Sequence, residues 1–101
     1  MDRVIRNKRV AVLYSPEYGV GWYSWHGINE LLFDPSIIQW LESNEYDKIL
    51  SYITLKYPKT YFGDIHFLKI EWIPVGVEFR IDEYDGSEVI KYKDDERWIT
   101  A

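Results

Sequence analysis

The sequence predicts an α+β domain of two layers, in which two helices pack on one face of a mainly antiparallel sheet of about four strands. Three features lead to this prediction: an apolar run near the N-terminus, apolar residues at helical spacing between 35 and 57, and alternating apolar residues from 66 to 92. Helices followed by a run of strands are typical of segregated α+β packing. The 101 residues suit a single domain, and no repeat or linker divides it.

The first strand is predicted between Arg9 and Ser15, where five apolar residues follow one another without a break. A run of this kind fits a strand that is buried on both faces, in the centre of the sheet. A basic segment precedes it, and residues 1–8 are predicted to form a solvated arm or, alternatively, an arm that binds anions. The basic residues here are Arg3, Arg6, Lys8 and Arg9.

Two helices are predicted next. Asp34 offers an N-cap acceptor and Pro35 suits the first helical position, so a helix begins there and extends to about Ser43. Asn44 is the predicted N-cap of the second helix, which ends before Pro58. Its apolar stripe is predicted to face the core and consists of Tyr46, Ile49, Leu50, Ile53 and Tyr57. Residues 28–33 fit either one helical turn or an extended connector.

From His66 onwards, apolar and polar residues alternate, which predicts an antiparallel meander of three strands. Asp85-Gly86 indicates a type I′ turn between the last two strands, since both turn residues need a positive φ. The resulting register pairs apolar residues on one face: Ile81 with Ile90 and Phe79 with Tyr92. Two further pairs carry like charges and are predicted to be solvated: Arg80 with Lys91 and Glu83 with Glu88.

Composition excludes several classes of function. The chain has no cysteine, which excludes disulfides, thiolate nucleophiles and Cys-ligated zinc. No apolar run approaches the roughly 18–20 residues that span a bilayer, and no apolar signal core follows the N-terminal charges, so we expect a cytoplasmic protein without a membrane partner. The net charge is −5, and residues 62–101 hold ten acidic and five basic side chains, which disfavours nucleic-acid binding.

The segment 14–27, called the aromatic loop below, connects the first strand to the helical region. Connectors are usually polar because they face water, yet five of these fourteen residues are Tyr or Trp and three are Gly. Such rings stack on ligands or anchor interfaces, and glycines allow close backbone approach. We therefore predict that the loop binds a small nucleotide- or sugar-like ligand or a partner protein. The predicted binding residues are Tyr14, Tyr18, Gly19, Gly21, Trp22, Tyr23, Trp25 and His26.

Other interpretations stay open. The rings of the aromatic loop can fold back as part of the core, or they can form the seam of a homodimer. The acidic surface 82–96 can act as a protein-mimicking inhibitor of an enzyme with a basic surface. His26, with Ser24 and Asp34, offers the residue types of a small hydrolase.

No enzymatic cofactor is predicted. The sequence has no Gly-Lys-Ser/Thr for a nucleotide-binding P-loop, and the histidines and nearby carboxylates lack the spacing of a metal site. The residues considered for a metal are His26, His66, Asp34 and Asp64. The acidic run 82–88 also fails as a calcium loop, because Tyr84 stands where an oxygen ligand is needed. The favoured prediction is a binding protein without enzymatic activity, and a small hydrolase that uses His26 stays open as an alternative.

The block from Val10 to Trp25 has a distinctive pattern, Val-Ala-Val-Leu-Tyr-Ser-Pro-x-Tyr-Gly-x-Gly-Trp-Tyr-x-Trp. Shorter blocks accompany it at 32–35, 61–63, 79–88 and 98–101. With these, nearly the whole chain resembles a family of small proteins of bacteriophages and bacterial mobile elements, to which no activity is attached. The resemblance carries no functional residues across. It implies a small acidic accessory protein that acts on host machinery, by binding an enzyme or sequestering a signal molecule, for example as an antagonist of host defence.

Overall fold

A computed structural model describes residues 2–93 and confirms the α+β class. The helices in this part of the chain are α1 (Tyr23–His26), α2 (Glu30–Phe33), α3 (Pro35–Glu42) and α4 (Tyr46–Lys56), followed by a 3₁₀ turn at Ile65–Phe67. The strands are β1 (Ile5–Arg6), β2 (Arg9–Tyr14), β3 (Lys69–Pro74), β4 (Phe79–Tyr84) and β5 (Ser87–Tyr92). Residues 94–96 of the acidic surface and the block at 98–101 lie outside the described residues.

The strands form two antiparallel sheets, β1-β2-β3 and β4-β5, and this differs from the predicted meander within one sheet. β3 pairs along its whole length with β2, so that Val10 lies opposite Ile73 and Leu13 opposite Ile70. β2 is central, as predicted, and its residues 10–13 are buried. A strand with two apolar faces needs a neighbouring strand on each side and a layer on each face. β1 and β3 are the two neighbouring strands of β2.

The central sheet lies between two layers, because alternate residues of β2 belong to two different cores. Ala11 and Leu13 pack with the buried isoleucines of α3 and α4. Val10 and Val12 pack in a second core against the apolar face of the β4-β5 hairpin and against α2. The predicted arrangement of helices on one face of a sheet is therefore present, and the hairpin adds a third layer on the opposite face.

The leading basic segment takes part in the fold from Arg3 onwards, since the Arg3 guanidinium lies 4.0 Å from the centroid of the Phe33 ring. β1 pairs with β2, and the two residues between them, Asn7 and Lys8, both have positive φ angles (50° and 62°), as a type I′ turn requires. The Arg6 guanidinium donates to both carboxylate oxygens of Glu42 at 2.7 and 2.9 Å. This pair joins β1 to the end of α3, so Ile5 and Arg6 form a strand at the position where the sequence predicted an arm.

The first predicted helix start is confirmed. Asp34 Oδ1 accepts from the N–H groups of Ser36 and Ile37 at 2.9 and 3.2 Å, and Pro35 is the first residue of α3. The second start is one residue later than predicted, because Asn44 has φ 58° and ends α3, and Glu45 is the N-cap of α4. Ile49 and Ile53 are buried as expected, whereas Leu50 is 54% exposed. No helix among residues 2–93 is long and apolar enough to cross a bilayer.

The hairpin β4-β5 has the predicted register at every pair, including Ile81 with Ile90 and Phe79 with Tyr92. Asp85 and Gly86 have φ angles of 49° and 85°, which confirms the type I′ turn. One expectation was wrong: Glu88 is not solvated but 1% exposed. In a strand, residues two apart share a face, so Glu88 lies on the same face as Ile90 and is carried inward with it.

Candidate functional site

The aromatic loop is fastened to the tip of the β4-β5 hairpin, which brings two distant parts of the sequence together. Hydrogen bonds run between the two segments along their length: Glu88 N–H to Ser15 O at 2.8 Å, Ser87 Oγ to Pro16 O at 2.6 Å, and Gly19 N–H to Asp85 O at 2.5 Å. The loop that follows β2 thereby lies beside the hairpin turn. The two surfaces that the sequence offered as alternatives, the aromatic loop and the acidic hairpin tip, are therefore neighbours.

The buried Glu88 carboxylate organises the loop from within. Oε1 accepts from the Ser15 N–H at 2.8 Å, and Oε2 accepts from the N–H groups of Trp22 and Ser24 at 3.1 and 2.7 Å. The latter two groups belong to the start of α1, whose unpaired N–H groups need acceptors. A carboxylate in this position satisfies backbone donors that the loop would otherwise bury without partners. In the sequence, Glu88 stands two residues before Ile90 on the same face of the strand, and this spacing is the signal that could have identified Glu88 as buried.

The glycines allow the chain to pack against itself. A Cβ on Gly86 would lie 2.7 Å from Val20 N, and a Cβ on Gly21 would lie 2.6 Å from the Trp25 ring. Both distances are shorter than van der Waals contact, so a side chain at either position would displace the loop. Gly19 is exposed, with φ 73°. Gly21 was predicted to allow close approach to a partner, but the close approach that it makes is internal.

The rings of the loop divide between core and surface. Trp22 is 2% exposed, its Nε1–H donates to Leu31 O at 3.1 Å, and its ring packs on Phe62 at 5.5 Å. Trp22 therefore belongs to the core, where it cannot stack on a ligand. Tyr14 and Tyr23 are half-buried, and the Tyr23 hydroxyl donates to Asn29 Oδ1 at 2.8 Å.

The remaining rings of the loop are exposed, and each is paired with a ring from another segment. Tyr18 (69% exposed) meets Tyr84 (76% exposed) edge to face, with their centroids 6.3 Å apart. Trp25 (38% exposed) stacks on Tyr61 (72% exposed) at 5.7 Å with an interplanar angle of 28°. We call these four residues the aromatic ridge. Sequence reasoning found Tyr18 and Trp25 but missed Tyr61 and Tyr84, because only the fold brings them to the loop.

The two pairs flank the same short stretch of loop. Residues 19 and 20 lie against Gly86, two residues after Tyr84. A Cβ on Gly63, which is two residues after Tyr61, would lie 3.0 Å from Val20 Cγ1. The surface around the Tyr18–Tyr84 pair is acidic, since segments 14–27 and 82–88 contain no Lys or Arg. Its exposed carboxylates are those of Glu17, Glu83 and Asp85.

His26 is a neutral histidine enclosed by rings. Its Nδ1 accepts from the Ile28 N–H at 2.8 Å, and its ring lies 4.8 Å from Trp22 and 5.5 Å from Phe62. Burial lowers the pKa of His26 to about 4. With Nδ1 occupied as an acceptor, the ring cannot donate from that atom to a carboxylate as a catalytic histidine does.

Ser24 and Asp34, the other two residues of the possible hydrolase site, are not hydrogen-bonded to His26 in the part of the chain that the structure describes. Asp34 accepts from two N–H groups of α3 through Oδ1 and from the Tyr52 hydroxyl at 2.7 Å through Oδ2. Ser24 Oγ and His26 Nε2 are both buried without a hydrogen-bond partner among residues 2–93. Ser24, His26 and Asp34 thus form no relay of hydrogen bonds in this part of the chain. No cluster of three His, Cys, Asp or Glu residues able to hold a metal occurs among the described residues.

A groove of about 370 Å³ lies next to the ridge, between α4 and residues 60–66. Tyr61 belongs to both features, because its side chain lines the groove and stacks on Trp25. Asp47 and Asp64 place two exposed carboxylates in the groove. The backbone N–H and the Nδ1 of His66 both bond to Asp64 Oδ1, and these contacts lower the pKa of Asp64.

Comparison with protein-family models, with curated proteins and with solved structures finds no match to this chain. The fold and the site geometry are therefore the basis for any assignment of function.

Proposed function

We propose that this chain is a non-enzymatic binding protein that holds a basic segment of a partner protein on its aromatic ridge. The observation that carries the proposal is the Tyr18–Tyr84 pair, two tyrosines that are 69% and 76% exposed and in contact with each other. Tyrosine and tryptophan dominate the binding energy of protein interfaces, because they contribute a large rigid area at a low cost in conformational entropy. Trp25 and Tyr61 form the second ring pair of the ridge and stack on each other at 5.7 Å.

The charge around the ridge supports a basic partner. Glu17 lies next to Tyr18, and Glu83 and Asp85 flank Tyr84. All three side chains are exposed, and the two segments that carry them contain no Lys or Arg. Carboxylates at the rim of an interface attract a cationic surface and orient its approach, and tyrosine faces also attract lysine and arginine side chains. The aromatic loop and the acidic hairpin tip would then act as one surface.

The internal bonding of the loop supports the same proposal. A flexible loop loses conformational entropy when it binds, whereas a loop already held in place does not. Glu88 bonds the loop at Ser15, Trp22 and Ser24, and Asp85 bonds it at Gly19. Tyr18 therefore extends from a segment that is fixed on both sides. The resemblance to bacteriophage and mobile-element proteins directs the search for the partner to cytoplasmic proteins of the bacterial host.

The proposal is tested by comparing three immobilised proteins in a bacterial lysate: the wild type, the Tyr18→Ala/Tyr84→Ala double variant and Leu55→Ala. Leu55 is 86% exposed on α4 and serves as the control for removing an exposed apolar side chain. Captured proteins are identified by mass spectrometry, purified and measured directly by calorimetry. We expect a partner that binds the wild type and the Leu55 variant equally and the double variant at least about tenfold more weakly.

A second comparison tests whether the carboxylates around the ridge contribute to binding of the partner. Glu17→Gln/Asp85→Asn removes two charges, and asparagine tolerates the positive φ of residue 85. Glu30→Gln removes one exposed charge from α2 and is the control. We expect the first variant to weaken binding and reduce its dependence on salt, and the second to change neither. The proposal is contradicted if all variants capture the partner equally or if none captures one. It is also contradicted if the wild type has twice the molar mass of a monomer and the tyrosine substitutions abolish this, because the ridge would then be a homodimer interface.

A further inference from the structure

We infer that the groove between α4 and residues 60–66 is a binding site for an alkylated ammonium group. This site is distinct from the ridge surface used in the proposed function, although the two share Tyr61. Three aromatic side chains and two carboxylates line a single groove of about 370 Å³. That volume is within the range of small-ligand pockets, roughly 300–1,000 Å³.

The aromatic walls of the groove are held in place by further rings. Tyr46 packs on the His66 ring at 4.5 Å, Tyr61 stacks on Trp25 at 5.7 Å, and Phe62 packs on Trp22 at 5.5 Å. The face of an aromatic ring attracts a cation through its quadrupole, and several rings around one cavity are the usual way in which proteins recognise quaternary ammonium groups. Because each of these rings already packs against another ring, little ordering is needed when a ligand enters.

The charge of the groove selects a cation. Asp47 and Asp64 line it, and among residues 2–93 no Lys or Arg does. Two lysines are adjacent in sequence to lining residues. Lys48 has its ammonium 2.7 Å from Glu45 Oε1 and is thereby engaged, and Lys59, next to Thr60, is exposed to solvent. The other titratable lining groups are the Tyr46 and Tyr61 hydroxyls and His66, and the His66 ring bonds to Asp64 at 2.7 Å. Two carboxylates repel phosphate and carboxylate ligands, so a nucleotide does not fit this groove.

An alkylated ammonium satisfies both features of the lining at once. Its methyl groups remove apolar surface from water against Tyr61, Phe62 and the half-exposed Leu50, while its charge faces the carboxylates. A simple metal cation has no apolar surface to bury against the rings. The group can come from a free small amine or from a methylated lysine of a protein, and its chemistry is the same in both cases.

The test is a titration followed by NMR of the ¹⁵N-labelled full chain, with choline as the probe. The matched control ligand is 3,3-dimethylbutan-1-ol, which has the shape of choline but no charge. We expect saturable shifts in residues 46–54 and 60–66 with choline, and at least about tenfold weaker binding of the neutral alcohol. Asp47→Asn/Asp64→Asn should weaken choline binding about tenfold, and Glu30→Gln, away from the groove, should not change it.

A peptide carrying trimethyllysine distinguishes the source of the group. Tighter binding of this peptide than of choline indicates a protein ligand, and equal or weaker binding indicates a free amine. The inference is wrong if choline causes no saturable shift up to about 100 mM, if the neutral alcohol binds as tightly, or if the shifts lie outside the groove. The Tyr18→Ala/Tyr84→Ala variant should bind choline normally, so a failure of the ridge proposal leaves this result unaffected.

Discussion

Removing the Glu88 side chain should release the aromatic loop from the hairpin and destabilise the whole domain. Glu88→Ala deletes an acceptor that serves three backbone N–H groups at 2.7 to 3.1 Å, two of them at the start of α1. A hydrogen bond to a charged group contributes about 1.5–3 kcal/mol, and water can enter the space left by the side chain and satisfy some of the donors. We therefore expect the free energy of unfolding to fall by about 3–5 kcal/mol, out of a typical total of about 5–15 kcal/mol.

The measurement is urea unfolding at neutral pH, followed by tryptophan fluorescence and circular dichroism. Glu83→Ala is the matched control, because Glu83 is the cross-strand partner of Glu88 but is exposed and bonds only the nearby Gly86 N–H among the hydrogen bonds of residues 2–93. The Glu83→Ala substitution should lower the free energy of unfolding by about 1 kcal/mol or less. Glu88→Gln keeps an oxygen acceptor for the N–H groups of α1 and turns its NH₂ group towards the Ser15 N–H. Its free energy of unfolding should therefore lie between those of the wild type and Glu88→Ala. The reasoning is refuted if Glu88→Ala is no more destabilising than Glu83→Ala, or if amide exchange at Ser15, Trp22 and Ser24 is unchanged.

Three further predictions follow from the same structure. Gly86→Ala should cost about 1–2 kcal/mol in backbone strain plus about 1–3 kcal/mol from the clash with Val20. Gly76 has nearly the same φ, and no atom of residues 2–93 lies within 4 Å of a Cβ added there, so Gly76→Ala should cost the strain alone. Equal unfolding midpoints for the two variants would contradict the contact between Gly86 and Val20. Burial lowers the pKa of His26 to about 4 from 6.5, so an unfolded chain takes up the proton first as the pH falls. The stability that the neutral ring contributes is complete above pH 6.5 and is lost between 6.5 and about 4. After allowance for partial exposure, the free energy of unfolding of the wild type should fall by about 1–2 kcal/mol more than that of His26→Asn over this range. Parallel pH profiles of the two proteins would show that His26 does not contribute to the pH dependence of stability. Trp22→Ala should cost about 3–5 kcal/mol and Trp25→Ala under about 1.5 kcal/mol in thermal or urea unfolding. A larger loss for Trp25→Ala would contradict the position of Trp22 in the core and of Trp25 at the surface.

The elements that sequence reasoning predicted well are those specified by near neighbours in the chain. The helix start at Asp34-Pro35 depends on an acceptor and a ring within three residues of the N–H groups concerned. The Asp85-Gly86 turn depends on two φ angles, and once it forms, the register of the hairpin follows by counting. The leading hairpin was missed, because its turn residues Asn7 and Lys8 do not form the Asn-Gly or Asp-Gly pair that marks such turns.

The partner of β3 was beyond local reasoning. Its alternating pattern fits a meander with β4 as well as pairing with β2, and the period alone does not distinguish the two. The distinction comes from β2, whose two apolar faces need a layer on each side. With β3 beside β2, the hairpin is free to cover Val10 and Val12 on the face opposite the helices.

For the candidate site, the composition of the chain by itself determined that segment 14–27 carries an unusual set of rings and that the hairpin tip is acidic. Only the tertiary structure decided which rings are accessible, because exposure depends on contacts between residues far apart in the chain. Trp22 is covered by Phe62, 40 positions later, and Ser15 is bonded by Glu88, 73 positions later. Tyr61 and Tyr84 reach the loop by the same long-range packing. Side-chain types and local periodicity specify the elements, whereas the burial free energy of the assembled core selects which side chains remain at the surface.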